Sequence, residues 1–334
     1  AALAGVRSSG PARAPSQRAD SVKSEFKAAL SVKQQYSGGV SGAPLPVPAP
    51  APSAPCCAAS SLGAGAGSSL GAAGAGPSIY CFALTMSSGG EVELLQYQLR
   101  ERISLFACDE YQVFSNATFE LGPDSAKGGA PLMVVPIGMS LEVAHGGRWG
   151  TALNTDVFVR LWEVVSQQGL WQSHDWSVKL DADAVFLPMR LRAMLSRLPS
   201  PGAKYMNNCK WGMHGPIEVV SRAALSIYFS QMQQCEQIRQ DAMEWQPVHW
   251  NEKMLRWTGT DKEHSFGEDQ YLRRCFRLLD ITMINEFTLL DELACGGNPK
   301  RTGCLGNYVT YHPFKEVDQY QTCLAFARIG SAEE

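Results

Sequence analysis

Charged residues are absent from one long stretch of this 334-residue chain, between Gly38 and Ser78. The stretch is dominated by Ala, Gly, Pro and Ser, so it cannot bury enough apolar surface to offset the entropy lost on ordering. We therefore expect residues 1–77 to form a disordered low-complexity tail, or stem. Residues 78–328 are expected to form one folded domain.

The sequence also lacks a run of about 20 apolar residues, the length that a helix needs to cross a bilayer. It contains no C-x-x-C pair, which disfavours a structural zinc site. Residues 79–334 hold 23 basic and 30 acidic residues, a net of −7, and that sign disfavours nucleic acid as a partner. Membrane attachment is then expected only through an anchor upstream of Ala1.

Cysteine, by contrast, is well represented in the folded part. An even number of cysteines predicts a disulfide framework in an oxidising compartment. The alternative is a set of buried free thiols in a cytosolic enzyme. The triplet Asn116-Ala117-Thr118 is a glycosylation acceptor pattern that fits the first interpretation. The eight cysteines are Cys81, Cys108, Cys209, Cys235, Cys275, Cys295, Cys304 and Cys323.

The first folded elements alternate between strand and helix. Ser78–Thr85 reads as a buried strand and Glu91–Arg102 as an amphipathic helix, followed by strand material at Ile103–Cys108 and Tyr111–Phe114. Such alternation predicts an α/β fold whose mostly parallel sheet is flanked by helices.

Later segments continue this pattern. Helices are predicted for Thr155–Gln168, with Gly169 as a stop, from Pro188 onward, and for Arg222–Gln240. The segment Val309–Lys315 is predicted to contain a short strand that ends in His312.

Two acids interrupt an apolar run in WSVKLDADAVFL, residues 176–187. Asp181 and Asp183 are one residue apart, so both carboxylates can point the same way at a strand end and bind one cation. Hard oxygen ligands favour Mg²⁺ or Mn²⁺ held against a diphosphate. The alternative is an acidic turn after a core strand.

Other candidate residues depend on their context. Asp269, in Phe266-Gly267-Glu268-Asp269, could act as a general base or only interact with the dipole of the helix that it begins. His312 precedes a proline and gains interest only with the other motifs. The tryptophans between Gln240 and Lys262 suit sugar stacking or core packing.

The order of these motifs resembles the GT-A glycosyltransferases, and most closely the fringe and core β1,3-galactosyltransferase group. The matching segments are IYCFALT, WSVKLDAD, GPIEVVSR, GED and HPFK, and the resemblance covers about residues 78–325. It implies a GT-A type, Rossmann-like catalytic domain in the Golgi or endoplasmic reticulum lumen, either anchored as a type II membrane protein or secreted.

The resemblance also implies roles for individual residues. Asp181 would face the ribose and metal side of a UDP-sugar, while Asp183 and His312 would ligate Mn²⁺ or Mg²⁺. Asp269 matches the base of inverting members.

Two residues that would contact the donor complete the site implied by the resemblance. Gly215 lies in the segment that shapes the donor and acceptor pocket, and Lys179 precedes the acids on their strand. The expected reaction transfers a hexose or N-acetylhexosamine to a hydroxyl of a glycan or glycoprotein. The sequence departs from the group at Ala182, where a third acid is common, and at His214-Gly215-Pro216, which replaces a glycine-rich turn.

Two other functions compete with this one. Asp181-Ala182-Asp183 also matches the nucleophile loop of haloacid-dehalogenase-type phosphatases, with Asp181 as nucleophile and Asp183 as acid/base. A secreted, disulfide-stapled domain that binds sugar or nucleotide without turnover is the non-catalytic alternative.

Overall fold

A computed structural model describes residues 76–146, 151–198, 202–244, 249–251, 256–258 and 265–329. These ranges belong to one compact unit, Leu70–Glu334. Almost all of the predicted tail lies outside the described residues. The side chains of Trp245, Trp250 and Trp257 lie outside them too, so their sugar-stacking role stays a prediction.

The strands and helices follow the predicted α/β alternation. The strands are β1 Ile79–Leu84, β2 Glu110–Ser115, β3 Glu120–Asp124, β4 Ala130–Met133, β5 Val135–Pro136, β6 His145–Gly146, β7 Thr151–Ala152, β8 Trp176–Leu180, β9 Val185–Phe186, β10 Lys204–Asn207, β11 Ile217–Ser221, β12 His249–Asn251, β13 Arg256–Thr258, β14 Thr282–Asn285, β15 Leu290–Asp291 and β16 Thr310–Tyr311. The helices are α1 Gly90–Glu101, α2 Thr155–Gln168, α3 Pro188–Ser196, α4 Arg222–Gln231, α5 Glu236–Met243, α6 Glu268–Leu278, α7 Pro299–Thr302 and α8 Val317–Ile329.

A seven-stranded sheet in the order β14-β10-β11-β8-β1-β2-β5 forms the centre of the unit. Its pairings are parallel except at β11, which runs antiparallel to both β10 and β8. The predicted fold class, a mostly parallel sheet flanked by helices, is confirmed. A smaller sheet has the order β15-β16-β9. Its three strands all follow Asp181 and Asp183 in the chain, and it contributes residues to the candidate site.

Side-chain alternation along β1 separates the two faces of the central sheet. Ile79, Cys81 and Ala83 point into a core that includes buried residues of α1 and α3. Tyr80 and Phe82 point into a second core, with buried residues of α2, α4 and α6. Because alternate residues of a strand face opposite ways, a wholly apolar strand such as β1 requires helices on both sides.

Several predicted boundaries are confirmed by local stereochemistry. Helix α2 spans Thr155–Gln168 as predicted, and Gly169 ends it with φ of 73°, a left-handed conformation that favours glycine. Helix α4 begins after Ser221, whose side chain accepts a hydrogen bond from the backbone N–H of Ala224.

Two predicted elements were wrong. Ile103–Cys108 is not a strand but contains a 3₁₀ turn over Ser104–Ala107, because a short buried apolar run does not distinguish strand from helical turn. The single helix predicted over Arg222–Gln240 is interrupted by a 3₁₀ turn at Met232–Cys235. Cys235 in that turn is joined to Cys275 of α6.

All eight cysteines of the folded part are paired, as the disulfide prediction required. Four disulfides of this kind fit a secreted or lumenal protein. Asn116 of the acceptor triplet is exposed after β2, and its glycosylation stays a prediction. Among the described residues no helix is long and apolar enough to cross a membrane. The pairs are Cys81–Cys108, Cys209–Cys295, Cys235–Cys275 and Cys304–Cys323.

Candidate functional site

Polar side chains gather where β8 ends in the middle of the central sheet. Asp181 directly follows β8, and its backbone N–H donates to the carbonyl of Pro216, just before β11. Since β11 is antiparallel to β8, its first residues lie at the same edge as the last residues of β8. Ligands of such α/β sheets bind at the carboxyl ends of the strands.

The small sheet brings His312 to Asp183. β9 and β16 are antiparallel, with Val185 opposite Tyr311. Residues that precede β9 therefore lie beside residues that follow β16. The backbone N–H of Phe314 donates to the carbonyl of Asp183, over 2.9 Å, and fixes this approach.

Asp181, Asp183 and His312 form a group of potential metal ligands. One ligand atom from each residue lies within 4.8 Å of those of the others. The Asp183 Oδ1 atom is 3.3 Å from Nε2 of His312. Two carboxylates and one imidazole are a donor set that accepts a divalent cation such as Mn²⁺, so the residues present fit the predicted metal.

Charge in this group is balanced locally. Burial would raise the pKa of Asp183, but the hydrogen bond from His312 lowers it below its ordinary value. Burial would lower the pKa of His312, but Asp183 and Glu292 raise it to about 9. His312 therefore carries a proton that a bound cation would displace.

A second cluster of possible ligands has a different explanation. Cys209, Cys295 and His214 also lie close together. The two sulfurs are joined in a disulfide, and a disulfide leaves no thiolate to bind a metal. His214 instead shares Glu292 with His312, because its Nδ1 atom is 3.0 Å from Glu292 Oε2.

Lys179 lies behind Asp181 and is only 1% exposed. Its ammonium group donates to Asp181 Oδ1 and to the carbonyl of Gly215, both over 2.8 Å, and to Glu268 Oε1 over 3.1 Å. An ammonium has three donors, and these three contacts occupy them. The contacts support a role for Lys179 through Asp181, while direct contact with a donor stays a prediction.

The charge of Lys179 is stabilised by the acids around it. Burial would lower the pKa of Lys179, but Asp181, Glu268 and Glu218 raise it well above its usual value. The aromatic ring of Phe158 also lies 4.5 Å from the ammonium nitrogen. The lysine is thus a permanent cation inside the protein.

Glu218 is directly opposite Lys179 in the pairing of β11 with β8 and is fully buried. Burial raises the pKa of Glu218 well above its usual value, and the charge of Glu268 raises it further. Burial therefore favours the protonated form of Glu218, which can donate a hydrogen bond to Glu268. Lys179 makes its direct ionic contacts with Asp181 and Glu268.

Asp269 occupies the first turn of α6, next to Glu268. Burial is the main cause that raises the pKa of Asp269 to about 6, the charge of Glu268 adds to it, and the charge of His214 opposes it. An acid whose pKa is close to neutral can accept a proton and release it again. Asp269 is ionised at pH 7 and has the properties of a general base.

Gly215 is required by close packing. A Cβ atom at this position would lie 2.8 Å from Glu268 Oε1 and 3.6 Å from Lys179 Nζ. The glycine therefore lets the β10–β11 loop approach the buried lysine, and this contact supports a structural contribution to the site.

Three acids of the site were not predicted from the sequence. Glu268 was noted only as a neighbour of Asp269. Glu218 carried a usable signal, since a lone acid within the apolar strand IEVVS has to be buried and compensated. Glu292 carried none, because it reaches the site through the pairing of β15 with β16, which places Asp291 opposite Tyr311.

Comparisons with known proteins find similarity to solved structures only, and at low values. No protein-family model matches the chain, and no curated protein matches it. One similar solved structure is a glycosyltransferase involved in the glycosylation of the major capsid of PBCV-1, with TM-score 0.39, 13% identity, and coverage of 74% of this chain and 99% of that chain. Another is the catalytic domain of Drosophila beta1,4galactosyltransferase 7 in complex with xylobiose, with TM-score 0.27, 12% identity, and coverage of 63% and 64%. At these low values the function proposed below depends on the geometry of the site.

The buried network around Lys179 predicts a large effect of its removal. Lys179→Met leaves Asp181 and Glu268 without their shared cation, and we expect the free energy of unfolding to fall by about 3–5 kcal/mol. Urea denaturation measures the change. Lys127→Met is the matched control, because Lys127 forms a solvent-exposed pair with Glu110 and should cost less than about 1 kcal/mol. Equal losses in the two variants would contradict the role of Lys179 as a buried counter-ion.

Proposed function

We propose that residues 78–328 form a metal-dependent glycosyltransferase. It transfers a hexose or N-acetylhexosamine from a UDP-sugar to a hydroxyl of a glycan or glycoprotein, with inversion. The observation that supports this most is the convergence of Asp181, Asp183 and His312 at the carboxyl end of β8. A candidate base on the neighbouring helix start adds the second group that the reaction needs.

The divalent cation would be held by Asp183 and His312, with Asp181 on the ribose side of the donor. A cation held there supplies positive charge that stabilises the departing diphosphate. Lys179 donates a hydrogen bond to Asp181 from behind and opposes the burial that raises the pKa of Asp181, and Gly215 leaves room for that contact. Each of these residues thereby binds or orients the donor.

Asp269 would act on the acceptor. Its ionised carboxylate removes the proton from the acceptor hydroxyl as the oxygen attacks the anomeric carbon, while the bond from that carbon to the UDP oxygen breaks. Attack from the side opposite the leaving group inverts the anomeric centre. Asp269 and the cation side are connected through His214, whose charge acts on Asp269 and whose ring contacts Glu292.

We also propose a glycosyltransferase subgroup, a cellular compartment and a role for residues 1–77. The site suits the fringe and core β1,3-galactosyltransferase pattern in its order of motifs, and the four disulfides suit the lumen of the Golgi or endoplasmic reticulum. We propose that residues 1–77 serve as a stem.

Replacing the candidate base separates donor binding from chemistry. In Asp269→Asn we expect transfer to fall about 10²–10⁴-fold, because the amide cannot accept the hydroxyl proton. UDP and Mn²⁺ binding should persist. UDP release from a panel of UDP-hexoses and UDP-N-acetylhexosamines, with and without glycan acceptors, measures the change. Unchanged transfer would remove Asp269 as the base.

Asp318→Asn is the control, since Asp318 is an exposed acid at the start of α8. It should leave transfer unchanged. Loss of activity through unfolding is not expected in Asp269→Asn. The pKa of Asp269 is about 6 in the folded protein and about 3.9 in the unfolded chain. The protonated side chain therefore contributes stability below the unfolded pKa, and this contribution is lost as pH rises through the folded pKa. At pH 7 the ionised, buried carboxylate makes the fold less stable. The neutral amide of Asp269→Asn avoids burying that charge.

The pH profile gives an independent test of Asp269. Because a base works only when ionised, kcat/KM should fall as pH decreases through about 6, the pKa to which burial raises Asp269. Well below that value kcat/KM should fall tenfold for each unit of decreasing pH, which is an inverse first-order dependence on proton concentration. Rates measured from about pH 5 to pH 8 in a constant-ionic-strength buffer check this. A flat profile across that range would contradict the assignment.

The alternative functions give different results in the same assays. A phosphatase that uses Asp181 as nucleophile would release phosphate from p-nitrophenyl phosphate and would not depend on a UDP-sugar. A non-catalytic domain would bind UDP without releasing it from any donor, in wild type and Asp269→Asn alike.

A further inference from the structure

Glu292 lies between two imidazole rings. Its Oε1 atom is 3.1 Å from Nδ1 of His312, and its Oε2 atom is 3.0 Å from Nδ1 of His214. The side chains of Glu292, His312 and His214 are 13%, 16% and 21% exposed, respectively. Both oxygens of one mostly buried carboxylate are therefore committed, each to a different histidine.

The contact with Glu292 determines which nitrogen of His312 faces the metal group. With Nδ1 held by Glu292, Nε2 points at Asp183 Oδ1, 3.3 Å away. Histidines that ligate metals usually donate their other ring N–H to a carboxylate or carbonyl, which fixes the ring and its tautomer. The carboxylate of Glu292 occupies that outer position.

The backbone holds Glu292 in place. Its carbonyl accepts hydrogen bonds from the N–H groups of Cys295, over 3.1 Å, and Gly297, over 2.9 Å. Cys295 is joined to Cys209 of the β10–β11 loop. The carboxylate therefore extends from a segment that is tied covalently to the loop carrying His214.

His214 is held on its other side as well. Its backbone N–H donates to Asn208 Oδ1 over 2.8 Å, and the amide of Asn208 donates to the carbonyl of His214 over 2.8 Å. Glu292 Oε2 thus contacts a histidine that is fixed within this loop, while Glu292 Oε1 contacts His312, which follows β16. The carboxylate has little freedom to turn away from either ring.

We propose that Glu292 is a positioning residue that fixes both imidazoles and presents Nε2 of His312 to the divalent cation. This inference rests on the proposed function, because it assigns Glu292 to the metal site of that reaction. A carboxylate that served only as counter-ion to one histidine would not need its second oxygen on another ring. Glu292 itself does not ligate the cation.

Mn²⁺ affinity of the full chain at saturating UDP tests this role directly. The signal of free Mn²⁺ in electron paramagnetic resonance spectra reports binding without requiring turnover. In Glu292→Ala we expect the affinity to fall about 10–100-fold, the usual effect of losing an outer partner of a metal ligand. Glu316→Ala, which removes an exposed acid before α8, should leave the affinity unchanged.

A double-mutant cycle separates positioning from a general structural effect. If Glu292 acts through His312, then Glu292→Ala should cause no further loss of Mn²⁺ affinity in the His312→Ala background. Glu292→Gln keeps one acceptor oxygen for only one of the two rings, so its affinity should lie between wild type and Glu292→Ala. Thermal unfolding of each variant confirms folding, and the glutamine variant carries the test if the alanine variant does not fold.

Each outcome has one meaning. Weakened binding in His312→Ala with wild-type affinity in Glu292→Ala or Glu292→Gln would overturn this inference and leave the proposed function standing. Equal losses from Glu292→Ala with and without His312 would also overturn it, because the effect would not pass through His312. No Mn²⁺ binding by the wild-type protein with UDP would overturn the proposed function itself, and this inference with it.

Discussion

Placing several carboxylates at one edge of the sheet is the constraint on which the rest of this site depends. Ionised acids that are buried near one another repel, and each loses hydration unless a cation or a proton compensates it. The structure compensates the inner acids with Lys179, and burial favours the protonated form of Glu218. Of the two outer acids, Asp181 is paired with Lys179 and Asp183 with His312, and together they leave a position suited to a divalent cation.

This division places a fixed charge inside and an exchangeable charge outside. Burial raises the pKa of Asp181 above its ordinary value, and the charge of the fully enclosed Lys179 opposes that rise whether or not a ligand is bound. His312 is a partly exposed imidazole whose proton can leave when a cation arrives. Strand β8 ends between the buried lysine and the partly exposed histidine. Asp181 can therefore contact the core through Lys179, while Asp183 beside it contacts His312 at the candidate metal site.

Elements of the fold could be predicted from the sequence where they depend on residues close together in the chain, and could not where they depend on distant ones. The strand at Ser78–Thr85 and helix α2 depend on local periodicity and on Gly169, and the sequence alone located both. The D-x-D pair was also identifiable, because two acids inside an apolar run demand an explanation. The break between α4 and α5 was not, since it accompanies a disulfide from Cys235 to a distant helix.

The same distinction applies to the residues of the site. Asp181 and Asp183 were predicted from their spacing within an apolar run, and Asp269 and His312 gained their roles from motif order; the structure brings Asp181, Asp183 and His312 into one cluster. Glu292 comes from a segment without a motif and reaches the site only through the register of β15 on β16. β15 and β16 pair over only two residues each, which is too short for an alternating hydrophobic pattern to indicate their register.

The central claim is that Asp181, Asp183 and His312 bind a divalent cation together with a nucleoside diphosphate. Isothermal calorimetry of UDP into the full chain, with and without Mn²⁺, tests it most directly, with Asp183→Ala as the variant and Asp318→Ala as its exposed control. The account predicts Mn²⁺-dependent UDP binding in the wild type and control, and its loss in Asp183→Ala. UDP binding that is absent from the wild type, or that persists unchanged in Asp183→Ala, would contradict it.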